Sequence, residues 1–339
     1  MRAMLANVVW LGGPTMVQAN KTEAAANSGS MNLYAGAALA RYGFGNGHPL
    51  NVDRQGAFLA EAQRQGLLDK VTLCAPRQAT VEEIGRFHSQ SHISKVSQAE
   101  RQRLAYLDNG DTPVFPGIFE ASANVVGAAL DGLASVMARQ NSRSFQPVGG
   151  LHHAGRDHSA GFCVFNDLGV VIETLRERYS VRRVAYVDID VHHGNGIFYA
   201  YEHDPDLIFA DIHEDGRSLY PGTGLASETG KGAAKGTKLN IPLEAGSGDT
   251  EFFSRWNEVE IHLHKFAPEF VLFQCGADGL KGDPLAHLNY SPAVHAYAAR
   301  RLRSFANRFS KGRLMAFGGG GYDLPNLSRA WTAVLNELA

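Results

Sequence analysis

Short runs of consecutive apolar residues, several ending in glycine, aspartate or histidine, recur along this chain between longer stretches whose apolar residues fall three and four apart. The first kind predicts strands buried on both faces, the second amphipathic helices packed over them. Met31 opens the first strand, Val71–Pro76 predicts a short buried one, and Pro147–Ala154 predicts one that ends in His152 and His153. Further strands are expected within Arg183–Gly196, from Phe209 into a loop that reaches Gly224, over Glu269–Gly276 and over Arg313–Gly320. Helical spacing marks a segment that follows Arg54 and ends near Gly66, then Val81–Val96, Ala121–Met137 and the region of Trp331. Tyr42–Arg54 and Asn109–Glu120 are rich in turn residues and predict loops. At least five strands separated by helices predict a parallel α/β sheet, whose ligands meet the carboxyl ends of its strands.

Arg183–Gly196, RVAYVDIDVHHGNG, is the most informative stretch. Alternation along a strand puts Asp188, Asp190 and His192 on one face and Val187, Ile189 and Val191 on the other. Three such ligands on one face suggest a metal. A lone aspartate there would serve equally as a helix cap, but the whole D-x-D-x-H-H-G-x-G run would not. Adjacent His152 and His153 point apart on a regular strand, and a turn would bring them to one side. His88 and His92 imitate a metal pair without the glutamate of an HExxH motif, so they read as solvated or structural. ETGKGAAKGTK, Glu228–Lys238, lacks the Gly-Lys-Ser/Thr order of a phosphate loop and reads as a flexible loop.

Composition narrows the class. The 339 residues are 44% hydrophobic, with 32 basic and 34 acidic side chains, which suits a globular enzyme with one large core and disfavours nucleic acid as a partner. Cys74, Cys163 and Cys275 lie in apolar runs without CxxC spacing and read as reduced core thiols of a cytoplasmic protein. Residues 1–30 read as an appended extension or over-long start, with a faint likeness to an export signal that Gly12, Gly13 and Pro14 interrupt. Residues 31–339 then form the catalytic domain. No run of 18 apolar residues occurs, so no membrane span is expected.

Six ordered blocks carry a resemblance. Together with DIDVHHGNG these are GGLHHA (Gly149–Ala154), SAGFCVFND (Ser159–Asp167), YPGTG (Tyr220–Gly224), QCGADGLKGDP (Gln274–Pro284) and GGGGY (Gly318–Tyr322). The chain resembles the zinc-dependent histone deacetylase family, most closely its bacterial acetoin-utilisation type. The resemblance implies the arginase–deacetylase fold, a single three-layer αβα domain around a mainly parallel eight-stranded sheet. It implies an amidohydrolase that removes acetyl or other short acyl groups from lysine side chains of proteins or peptides. One catalytic Zn2+ would be held by Asp190, His192 and Asp278, leaving a position open for water and a carbonyl.

By the same resemblance His152 and His153 form the acid–base pair, backed by Asp188 and Asn195 respectively. Asn195 is neutral where many relatives carry aspartate, which predicts a less basic His153 and makes it the general base. Tyr322 would donate to the developing oxyanion. Gly161, Phe162, Tyr220 and Leu285 would line a lysine tunnel, Asp111 would hold substrate backbone at its rim, and Arg54 would lie behind the metal near a channel for acetate. A structural K+ beside Asp188 belongs to the family pattern too, and Asp211, where relatives often have serine, puts its charge in question. Acetylpolyamine hydrolases of the same fold usually show PPGHH where this chain has GGLHH. A silent acyl-lysine reader would be expected to lack Tyr322, a ligand or a histidine, and all are present.

Overall fold

The computed structural model describes residues 31–45, 47–138 and 142–339, so the expectation for residues 1–30 lies outside the described residues. Eight strands, β1 (Met31–Tyr34), β2 (Thr72–Cys74), β3 (Arg143–Gln146), β4 (Val184–Asp188), β5 (Leu207–Glu214), β6 (Lys238–Leu243), β7 (Phe270–Gln274) and β8 (Leu314–Phe317), form one sheet. Their order is β2-β1-β3-β8-β7-β4-β5-β6, and every neighbouring pair is parallel. All carboxyl ends therefore open on one edge, and β3, β8, β7 and β4 stand side by side in its middle.

The expected alternation decides the layers. In β4, Val184 and Tyr186 enter the core under the helices Ile118–Ala138 and Asp167–Tyr179, while Ala185 and Val187 enter the opposite core. Ile189 and Val191 continue into that second core beside Trp256, Leu302 and Trp331, although the strand itself stops at Asp188. The second layer comprises the helices Arg54–Arg64, Asp249–Phe266, Pro292–Phe309 and Leu324–Leu338. Helix starts follow their capping chemistry: Asn166 accepts from the amide of Gly169, Asp323 from that of Asn326, and Ser291 precedes a first-turn proline. Helix Ile118–Ala138 is long and apolar enough to cross a membrane, but it lies mostly buried against β3 and the helix Asp167–Tyr179.

Four expectations need correcting. The strand at Val71–Pro76 is not buried: β2 is a three-residue edge strand with one neighbour, and Leu73 is 56% exposed. Cys74, on that edge, is a half-buried free thiol rather than a core one. The helix expected over Val81–Val96 is two, Val81–Ile84 and Gln90–Gln98, because Ser89 caps a second start through the amide of His92. Pro147–Ala154 is a loop after β3 rather than a strand, turned at Gly150 with φ +76°.

Candidate active site

The loop after β3 brings both histidines to one side, as a turn would. Asp167, at the start of its helix, accepts the amides of Gly150 (2.9 Å) and Leu151 (2.8 Å) and so fixes that turn from beneath. The two rings meet through their Nε2 atoms, 3.1 Å apart. On the far side, His152 Nδ1 faces Asp188 Oδ2 at 2.8 Å and His153 Nδ1 faces Asn195 Oδ1 at 2.7 Å. The Tyr186 hydroxyl also donates to Asp188.

These partners separate the two imidazoles. Burial opposes a charge on His152, but Asp188 and then Asp190 outweigh it and push its pKa up to about 9. Burial, then the neighbouring His152 and His192, press His153 well below its ordinary value, with the neutral Asn195 a weaker opposing influence. With Nδ1–H donating to Asn195, Nε2 is the unprotonated nitrogen of His153, on a ring that lines the cavity described below.

Beyond β4 the chain bends at residues 190–192, each carboxylate accepting the amide two residues on: Asp188 from Asp190 and Asp190 from His192, both at 3.0 Å. Asp278, after β7, accepts the amide of Val191. Ligating atoms of Asp190, His192 and Asp278 all lie within 4.8 Å of one another, and all three side chains are buried. His192 Nδ1 stands 3.2 Å from Asp190 Oδ1 and 3.1 Å from Asp278 Oδ2. Asp190 is oriented in turn by Gln274 Nε2 (2.9 Å) and the amide of Gly320 (2.8 Å). Two adjacent buried carboxylates and one imidazole, with no bulk between them, fit a divalent cation. Space supports this: a Cβ on Gly320 would stand 1.9 Å from Asp278 Oδ2 and 3.0 Å from Asp190 Oδ2.

Above these side chains opens a cavity of about 210 Å³, narrower than most small-molecule sites. It is lined by His153, His192 and Tyr322, by Phe162 against Tyr322 and Tyr220 against His153, and by Asp111, Gly161, Leu219 and Leu285. Gly161 has φ +52°, and any Cβ there would strike the His153 ring at 2.6 Å. Phe162, also left-handed at φ +69°, is clamped: Tyr42 donates to its carbonyl (2.7 Å) and its amide donates to Thr112 Oγ1 (3.2 Å). His48 packs edge-on against Phe162 at 4.5 Å; with Nδ1 accepting the amide of Leu50, its Nε2–H donates to the Asp111 carbonyl. A smaller cavity of about 20 Å³ lies between Leu50, Leu151, Cys163 and Gly319.

All fourteen residues singled out from the sequence meet at these cavities or directly support them. Arg54 lines neither cavity but donates to the carbonyls of Gly319 (2.5 Å) and Gly321 (2.9 Å) in the loop that carries Tyr322 and lies 5.9 Å over the Tyr322 ring. Asp211 pairs with His213 Nδ1 at 2.7 Å and accepts the amide of Gly194. His88 and His92 are buried braces rather than solvated groups, their Nε2 atoms meeting the Asn166 amide and the Val164 carbonyl. The 228–238 loop is tied down by Asn240 Nδ2 on the Glu228 carbonyl and by the Thr229–Gly236 backbone bond. Sequence reasoning passed over Asp167, Tyr186 and Gln274; each was visible as a polar residue inside or beside one of the six blocks.

Residues 48–338 match the model of the histone deacetylase domain family. The acetoin utilization protein AcuC of Bacillus subtilis (strain 168) is 34% identical over 306 residues, 88% of this chain and 79% of that protein. Histone deacetylase RPD3 of Saccharomyces cerevisiae is 31% identical, covering 88% of this chain and 70% of its own length. Histone deacetylase 8 of Xenopus tropicalis is 34% identical, covering 79% and 73% respectively. Among solved structures the HDA15 HD domain superposes with a TM-score of 0.83 at 26% identity, over 91% of this chain and 88% of that one.

Proposed function

Because the chain belongs to the histone deacetylase family, we propose that it is a zinc-dependent amidohydrolase that removes acetyl or other short acyl groups from lysine side chains of proteins. One observation carries the reading: Asp190, His192 and Asp278 converge within 4.8 Å at the base of a narrow cavity, beside two histidines of opposite basicity and a phenol.

Zinc is the ion this donor set favours over magnesium or calcium, since one imidazole joins two carboxylates in a three-ligand set. When bound it supplies Lewis acidity, polarising a carbonyl and acidifying water. The rest is the work of side chains. Phe162 and Tyr220 admit the aliphatic stem of an acylated lysine, and Asp111 at the mouth accepts hydrogen bonds from peptide N–H groups. His153, neutral at physiological pH, takes the proton of the attacking water at Nε2 and returns it to the departing lysine Nζ. His152, held cationic by Asp188, stabilises the negative charge that develops on the carbonyl oxygen. Burial and the charges of Asp278 and Asp190 raise the pKa of Tyr322 well above 10, so it keeps its proton and donates it in a hydrogen bond to that oxygen.

A monovalent cation beside Asp188 has no such support. Asp211 already accepts from His213 and Gly194, and Asp188 from His152, Tyr186 and Asp190. Burial notwithstanding, Asp211 holds His213 above its ordinary pKa. We place the protein in the cytoplasm on its three unpaired thiols. The deciding experiment is hydrolysis of acetyl-lysine peptides by the metal-stripped protein before and after addition of zinc. Turnover restored by zinc supports the reading, and equal turnover by the stripped protein refutes it.

A further inference from the structure

The loop Gly318–Tyr322 that delivers the phenol is anchored mostly through its glycines. Gly320 donates to Asp190 and its carbonyl receives Ala277, while Arg54 holds the carbonyls of Gly319 and Gly321. The last of these anchors is Gly321, at φ +120°, whose carbonyl belongs to the same peptide group as the Tyr322 amide. The Tyr322 ring meets Phe162 edge-on at 5.9 Å and lies under the Arg54 guanidinium, also at 5.9 Å, and the next fixed point is Asp323, which caps the C-terminal helix. A second side chain holds the N–H end of that peptide group. Asp283, only 6% exposed, accepts the amide of Tyr322 on Oδ2 at 2.8 Å and the amide of Leu285 on Oδ1 at 3.0 Å.

We infer that Asp283 is a positioning residue for Tyr322, fixing the phenol over the reacting carbonyl and tying that placement, through Leu285, to the mouth of the cavity. The inference rests on the proposed role of Tyr322 as oxyanion donor. Both oxygens are needed as acceptors, because each faces a backbone N–H. An asparagine of the same size offers one acceptor and turns an NH2 group against the other amide, which would push one of the two segments away. A phenol displaced by about 1 Å loses its preorganised contact with the oxyanion while ligand binding elsewhere in the cavity survives.

A double-substitution cycle tests this, with kcat, KM, bound metal and Tm measured for wild type, Tyr322→Phe, Asp283→Asn and the pair. Asp283→Asn is expected to lower kcat about tenfold or more with KM and metal content nearly unchanged. In the Tyr322→Phe background the same substitution is expected to cost less than about twofold, because its route of action is already gone. Equal losses in both backgrounds, a loss of metal, or a wild-type kcat in Asp283→Asn would each overturn the inference. Should Asp283→Asn prove insoluble, Asp283→Glu, which keeps the charge one methylene farther out, decides the same comparison. If Tyr322→Phe alone retains full kcat, the donor role fails and the inference falls with it. A large Tyr322→Phe loss beside additive effects removes the inference alone.

Discussion

Replacing Asn195 with aspartate converts the partner of His153 from a neutral acceptor into an anion without changing its reach. The Oδ1–Nδ1 distance is 2.7 Å, which places the new charge about 4 Å from the centre of the imidazolium. At an effective dielectric of about 20 the gross attraction is ~4 kcal/mol, and the cost of burying the carboxylate offsets part of it. An opposite charge at this range typically lifts a pKa by about 1–3 units. His153 starts well below 6.5, held there by burial and then by His152 and His192. Its base form is the active one, so a raised pKa means that more alkali is needed to free the lone pair. The acidic limb of kcat/KM against pH should therefore move up by at least about one unit, with the rate below the limb falling roughly tenfold. The assay is initial rate on an acetyl-lysine peptide from pH 5 to 9, with metal content measured alongside. An unmoved limb, or one that shifts downward while metal content holds, would refute the assignment of His153 as the base.

Three further outcomes follow from the geometry. Gly320→Ala would put a Cβ 1.9 Å from Asp278 Oδ2, and metal analysis should show zinc content falling far below that of the wild type. Tyr322→Phe should lower kcat by about a hundredfold or more while binding of a zinc-chelating hydroxamate, followed by titration calorimetry, largely persists. With Asp111 at the mouth and aromatic walls below it, acetyl-lysine within a peptide should exceed acetylspermidine in kcat/KM, and the reverse order would sink the protein-substrate reading.

Legibility followed chemistry more closely than backbone. Asp188, Asp190 and His192 could be placed on one face because the intervening Val187, Ile189 and Val191 are uniformly apolar, and all three enter a single core. The chain does so although the strand ends at Asp188 and residues 190–192 bend: each carboxylate fixes that course by accepting the amide two residues on. β3 was misplaced because its own residues, Arg143, Ser144, Phe145 and Gln146, are mostly polar, whereas the apolar signal lay in the loop that follows. Those polar groups are buried by distant partners that local pattern does not encode, such as Asn307 for Arg143 and the Val125 carbonyl for Gln146. Arg54 was legible as buried but not in its task, since its partners are glycine carbonyls at the other end of the chain. Supporting groups such as Asp167 hide for the same reason: a backbone amide leaves no trace in the identity of the residue that bears it.

The wholly parallel ladder has a consequence for how the protein reaches its working state. Arg143 of β3 pairs with Leu314 of β8, and Val184 of β4 with Phe270 of β7, so the four central strands are closed only by contacts remote in sequence. Each such closure pays chain entropy before any pairing repays it, which makes parallel sheets of this kind slow to assemble. Helices such as Ile118–Ala138, built from local contacts, have no such delay. During refolding from denaturant, helical circular dichroism should therefore recover well before hydrolysis does, and β8, with Tyr322 behind it, should be the last strand to take its place between β3 and β7. Activity here is in effect a clock for the final seam of the sheet.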